Sequence, residues 1–590
     1  MWRWFVVVVI LGAAVGCGKW KVSIGGGLPN TLYVNATSGD DAYDGTSPNR
    51  AKKTIQAALD AAKDGYTIIV ADGLYFGLGN TNLLFTGKAV HLRSQNGPAN
   101  CIIDCMMGGT RAFYFNSNET PNTIVEGFTI RFCAGSIIGT AAYIGQNCSP
   151  SFVNCVFSQN TAVTSSVIYI NQGSPSFSNC TFSNNSSSSD GGVIRLEGGS
   201  LTLSGCTFSE NGTDNGRGGV IYSSGSTISI DSCSFENNSA SGEGGAIYTN
   251  GTTISISNTS FTGNISTDWQ GGALYITTDG SLTITNCTFT SNSCKYNGGA
   301  VYCRENTPLT AAGCTFQSNI AGESGGAVFC YDECTATVTN CTFDSNTSGD
   351  EGGALRVEDL TSGDIAITGC SFLNNEVQNN HSGGALDLHD TDCDTITITA
   401  CIFANNHATH DGGAVFLWSV GSSETTFLNC LFYKNTADYR GAYLSHWTDN
   451  VKFINCTFAD NESNISNSDK GHTFCLLWNS KIYLYNCIVW GDGDQFYIGS
   501  GSGGEAYNSD VLDLPSGWDV SSTCIEQNPL FTDAANDDYT LQASSPCIDA
   551  GDNSYLPAGT TTDLAGNNRI VDGDSSGTAT VDIGAYEYQP

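Results

Sequence analysis

Proline is scarce in this chain, 12 residues in 590, and methionine scarcer still at 3. So few prolines exclude a proline-rich spacer. Charged side chains make up only 13% of the residues, which excludes a disordered acidic tail. Beyond Leu11 no apolar run is long enough to cross a bilayer. Basic residues are few: 22 Lys and Arg face 57 Asp and Glu, a formal charge of −35. A field of that sign, spread along the chain, repels nucleic acid and anionic lipid and favours divalent cations or cationic partners. It argues against a nucleic-acid reader.

What the chain has in excess is glycine, 70 residues, and repetition. From Cys155 a pattern returns every 25 to 31 residues: two alternating apolar positions, Asn-Cys-Thr-Phe or a near variant, then Asn three residues past the aromatic. A Gly-Gly-Ala-apolar step follows. Thr259 fills the one gap in the Cys column, and the Asn column runs from Asn160 to Asn461 without a miss. A unit this short cannot close its own core, so neighbours must stack.

In the unit Leu282 to Tyr302, Leu282 and Ile284 alternate with threonines as in a half-buried strand. After a turn at Asn286, Cys287 and Phe289 point inward on a second strand. Asn292 is expected at a sharp left-handed turn and in an amide ladder up the stack. Gly298-Gly299 allows a second corner, and Val301 opens a third strand. Three strands and three corners per turn describe an all-β, right-handed parallel β-helix of about 13 or more rungs, at roughly 4.8 Å each. Gly-Gly and β-branched pairs inside every unit exclude a helical repeat. A propeller blade needs about forty residues.

Twelve of the 25 cysteines share one repeat position and read as a ladder of free core thiols. Cys303 and Cys330 are expected to stack likewise. Cys524 and Cys547, off the ladder, are the better disulfide candidates.

Residues 1–17 read as a targeting segment, with Arg3 before the apolar run Phe5 to Leu11 and small residues before Cys17. The end resembles a bacterial lipobox, which implies lipidation at Cys17; an ordinary signal peptide is the alternative. Either implies export, to the outer membrane, cell surface or extracellular space. Residues 18–30 form a linker, 31–120 an N-terminal cap with the first rungs, 121–500 the repeat region and 501–590 a C-terminal module.

The Phe-x-x-Asn and Gly-Gly-Ala-apolar pairing resembles the repeats of chlamydial polymorphic outer membrane proteins over about residues 127 to 490, which implies an adhesin-like, surface-displayed β-helix. Leu32 to Asn35, the Asp-rich turn Gly39 to Pro48, the helix-like Thr54 to Ala62 and the strand Tyr66 to Ala71 resemble the opening of pectate-lyase-like β-helix proteins. A short capping helix there would cover the open sheet edge. Asn528 to Phe531, Ser545 to Gly551 and Asp582 to Glu587 resemble a choice-of-anchor module, expected to cap the other end of the rod. No membrane barrel follows the repeats, so the anchor is expected at Cys17.

Aligning the units on Gly-Gly places one outward residue per rung, from Tyr169 and Arg195 to Asp387 and Phe416. Within that column Tyr222, Tyr248, Tyr275, Tyr302 and Phe329 form an aromatic stripe. With Tyr331, Phe416 and Trp418 they are candidates for stacking on sugar rings; the alternative is mutual stacking for stability. Arg356, Glu358, Asp387 and His389 form a polar island between aromatics, a candidate for acid–base catalysis on a polysaccharide or an ordinary ion-paired face. Asp40, Asp41 and Asp44 are candidate calcium ligands or a solvated turn, and His381 and His410 candidate metal ligands. No cofactor is required. The recognisable motifs of pectate lyases and polygalacturonases are missing. The expected function is binding of polysaccharide or cell-surface glycan without turnover, with membrane contact only through an N-terminal lipid. A polysaccharide lyase or glycoside hydrolase is the second reading and a purely structural surface protein the third.

Overall fold

The computed structural model describes residues 30–421, 424–465 and 471–590. The chain winds into a parallel β-solenoid of about 15 turns. One coil shows the plan: strands Ser281–Thr285, Thr288–Thr290, Ser293–Cys294 and Val301–Arg304 follow one another around the axis. Each pairs in parallel with its counterpart one coil on, as in Leu282↔Leu309, Phe289↔Phe316 and Tyr275↔Tyr302. The two-residue strand is a fourth ribbon, 13 strands tall, where three strands per turn were expected.

The core follows from the repeat. Cys287 and Phe289 are buried, and successive phenylalanines lie nearly parallel, Phe289 and Phe316 with centroids 4.9 Å apart. The thiol column is buried and unbridged, and Thr259 takes the place of a thiol by accepting from the Cys233 amide at 3.2 Å. Cys303 and Cys330 are register partners, both free.

The asparagine column is a hydrogen-bonded ladder in the buried interior. Asn292 Nδ2 donates to Asn319 Oδ1 at 3.0 Å and to the Phe261 carbonyl at 2.9 Å; its backbone amide donates to the same Oδ1. Each buried amide is thereby satisfied by the coils on either side, as burial of a polar group demands. The left-handed turn lies one residue earlier than expected, at Ser291 with φ 54°. That leaves Asn292 extended, with its amide turned inward.

The N-terminal end is closed by the helix Ile55–Ala61, whose Ile55, Ala58 and Leu59 are buried over the first coil. Thr54 caps it, its hydroxyl accepting from the Ala57 amide. Residues 503–520, expected to belong to the C-terminal module, continue the stacked sheets, and the rest of the module does not sit on the end of the rod. It lies along the flank of the last coils, where Tyr539 packs with Leu431 and Ala459 and Cys547 with Ile488. Ile402, Leu431 and Ile488 there are apolar on the outside, whereas the coils from Thr181 to Ser371 carry Thr or Ser at the same register. Trp518 packs against the final coils instead, beneath Phe496.

The disulfide expectation is also corrected. Cys524 and Cys547 are both free: Cys524 borders the main core, while the Cys547 thiol donates to Asp510 in a separate cluster. The bridge among the described residues joins Cys105 to Cys133, on neighbouring coils. No described helix is long and apolar enough to cross a membrane.

Candidate functional site

The outward column exists in the expected register: Tyr222↔Tyr248↔Tyr275↔Tyr302↔Phe329↔Arg356↔Asp387↔Phe416. It is outward but not exposed. Tyr248, Tyr275, Tyr302 and Phe329 retain only 3 to 4% of their surface, with Tyr222 and Tyr331 packed against them. Ring faces in the tyrosine stack lie 5.1 to 5.2 Å apart, at interplanar angles of 6 to 16°. A sugar cannot enter between rings already stacked on one another. The stripe therefore stabilises the wall, as cross-strand aromatic pairs do. Arg217 closes its lower end over Tyr222 and Tyr248.

The polar island is likewise a packed network. The Arg356 guanidinium meets Glu351 at 2.7 Å, Glu358 at 2.9 Å and Asp387 at 3.1 Å. Asp387 is fully buried, and burial outweighs Arg356 to push its carboxyl up to about 8. Neither of its oxygens has a well-aligned hydrogen bond, so Arg356 satisfies the two glutamates first. Asp387 and Arg356 are thus enclosed, out of reach of a substrate. Glu358 remains half-buried at the surface, its carboxyl raised by burial despite Arg356. His389 stacks on Trp418 at 5.4 Å and 2°, and burial, then Arg356, lowers its pKa. Its Nδ1 is enclosed without a hydrogen-bond partner.

One rung further lies an aromatic group that the alignment on Gly-Gly did not reach. Trp447 and Trp478 each follow a register-paired residue, His446↔Leu477, and both adopt left-handed φ, 48° and 53°. That conformation is unfavourable for a bulky side chain and turns both indoles outward. They stack 4.6 Å apart and remain 48% and 44% exposed. Trp418 meets them edge-on at 5.0 and 6.0 Å. Beneath them His446 is buried, with both ring nitrogens unpartnered and its pKa pushed down to about 4 by burial. Beside Trp447 opens a pocket of about 320 Å³ lined by Asp390, Asp392, Ser419 and Gly421. An indole face next to carboxylates is an arrangement that binds a sugar ring by stacking and by hydroxyl hydrogen bonds. The sequence signal was present: two tryptophans 31 residues apart, each one place after the outward pair.

The Asp-rich turn is committed elsewhere. Asp40 accepts from the Ala42 amide, Asp41 from the Lys53 and Thr54 amides, and Asp44 from Thr46 and Arg50. These three carboxylates hold a turn and a helix start rather than converging on one point. His381 pairs with Glu351 and Asp350, and His410 with Asp411. Among the described residues the carboxylates that do converge are Asp549, Asp572 and Asp574, with oxygens within 4.8 Å of one another. Cys17 lies outside the described residues.

Comparison with known proteins bears on the fold. The family model described as "Right handed beta helix region" matches residues 111–267, 242–458 and 328–511. The catalytic domain of a GH87 α-1,3-glucanase, solved in complex with nigerose, aligns with 65% of this chain at 10% identity and a TM-score of 0.21. The chain spans 63% of that domain. The structure of XylC with xylose aligns over 85% of this chain and 87% of its own, at 10% identity and a TM-score of 0.17. Likeness at such scores carries no argument about activity. No curated protein matches the chain. The family model covers most of the stacked coils, and on that ground the chain belongs to the right-handed β-helix family.

Proposed function

We propose that the protein is an exported, surface-anchored rod that binds polysaccharide or a cell-surface glycan through the face built by Trp418, Trp447 and Trp478, without turnover. The observation carrying this reading is the pair of half-exposed, left-handed tryptophans beside the pocket at Asp390 and Asp392. Unlike the tyrosine stripe, these indoles keep nearly half of their surface open although they pack on one another and over His446, which leaves ring surface for a ligand. Export and anchoring rest on the run Phe5 to Leu11 and on Cys17. Affinity electrophoresis in gels containing neutral and acidic polysaccharides tests the site. Retention should be lost in the double variant Trp447→Ala, Trp478→Ala and kept in Tyr248→Ala, Tyr275→Ala. Unchanged retention of the tryptophan variant would remove the proposal.

A polysaccharide lyase or glycoside hydrolase is the second reading, favoured by one observation: Glu358 has a raised carboxyl pKa, and the neighbouring Asp359 contributes to that rise. Release of reducing or unsaturated ends from the same panel, abolished by Glu358→Gln, would establish it.

A further inference from the structure

The corner that precedes the third face changes character along the rod. In the first four coils it carries Leu78, Met106, Met107, Ile138 and Val163, with relative exposures of 100, 62, 65, 47 and 51%. These residues lie in the segments that follow four strands paired one above the next: Gly73–Phe76 with Cys101–Asp104, that with Thr129–Arg131, and that with Val156–Ser158. From the fifth coil on, the position that follows Val163 in register is polar, with Ser188, Asp214, Ser241 and Thr267, and a large exposed apolar side chain follows it only at Trp269, 49% exposed, among the described residues of the next four coils. The charge follows the same division. Residues 31–166 hold eight Lys and Arg against nine Asp and Glu; residues 167–590 hold 11 against 48. The net negative charge read as evenly spread is therefore nearly missing from residues 31–166.

A groove of about 620 Å³ runs between the apolar side chains, lined by Leu78, Met106 and Ile137 and closed by Arg111. The Arg111 guanidinium lies over Tyr114 and Tyr143 and has no carboxylate partner among the described residues. A cation without a counter-ion, set in an apolar groove, suits an anionic headgroup attached to a hydrocarbon chain.

We propose that this apolar corner is a lipid-contacting surface, which lays the first coils on a phospholipid bilayer. A second copy of the chain is the poorer occupant, because joining two rods side by side brings two strongly acidic bodies together. A bilayer touches only the near-neutral end, and screening over about 8 Å at physiological salt hides the rest of the rod from it. Contact with lipid is then not confined to Cys17.

The test uses the full chain carrying Cys17→Ala, so that no lipid is attached there. It is mixed with phosphatidylglycerol-containing and pure phosphatidylcholine vesicles. Leu78→Cys labelled with an environment-sensitive dye should brighten several-fold and shift to shorter wavelength on phosphatidylglycerol vesicles; the same dye at Ser188→Cys should not. Leu78→Asp with Met106→Asp, both exposed and so compatible with folding, should reduce co-sedimentation about tenfold. An unchanged Leu78 probe on sedimented protein, or undiminished binding of the Asp variant, overturns the proposal. So does a concentration-dependent dimer, seen by ultracentrifugation without vesicles, that the Asp substitutions abolish.

Discussion

Asn292 and Asn319, 27 residues apart in sequence, share a side-chain hydrogen bond of 3.0 Å in the interior of the rod. The Asn264 amide nitrogens in turn donate to Asn292 Oδ1. Replacing Asn292 by Ala strips partners from both adjacent coils at once. At about 1–3 kcal/mol for each stranded buried group, the variant should lose roughly 3–5 kcal/mol. Urea unfolding followed by circular dichroism measures it. Asn568→Ala, in the exposed C-terminal loop, should change stability by under about 0.5 kcal/mol.

Tyr248→Ala should cost stability and not binding. The ring is buried between Tyr222 and Tyr275, so truncation should destabilise by about 3–5 kcal/mol. Glycan retention at native temperature should stay as in the parent, and calorimetry beside affinity electrophoresis separates the two effects.

Asp387 predicts a loss of stability between mildly acidic and neutral pH. Its folded pKa, about 8, lies above the ordinary carboxylate value, so the native state holds a proton that the unfolded chain releases. That stabilising term is complete at low pH, below the unfolded pKa, and is lost as pH rises through about 8. Melting temperature should therefore fall as pH rises from about 4 to about 8 and level off above. Asp387→Asn, which is neutral throughout, should flatten that part of the profile.

The thiols should be silent in the folded protein. Cys524 is the one free cysteine among the described residues that is not fully buried. A disulfide-exchange reagent should titrate at most one described thiol per chain under native conditions and the remainder only in denaturant. Rapid modification of ladder thiols in the native state would contradict the packing.

The period of the repeat made the architecture legible, and with it the register of every outward residue from Tyr222 to Phe416. Exposure was not legible. An outward position on a solenoid wall is solvated only if its neighbours up and down are small or splayed, and four aromatics in a row cover one another instead. The same reasoning explains Asp387, which lies between Arg356 and Phe416 in that column and is sealed by both. Trp447 and Trp478 were overlooked because attention to strand alternation stops at the strand end, and these residues sit in the turn just beyond it. The flank position of the C-terminal module could have been read from Ile402, Leu431 and Ile488, apolar where other coils place Thr or Ser on the outside.

Because each coil ahead of the flanking C-terminal module bonds only to the coil before and after it, that part of the rod should yield to tension in instalments. Pulling on one terminus strips a single turn, frees on the order of 90 Å of slack for some 27 residues, and leaves the next turn intact as the new end. A force trace would show evenly spaced teeth rather than one rupture, and a molecule tethered between two surfaces would pay out length while still holding on.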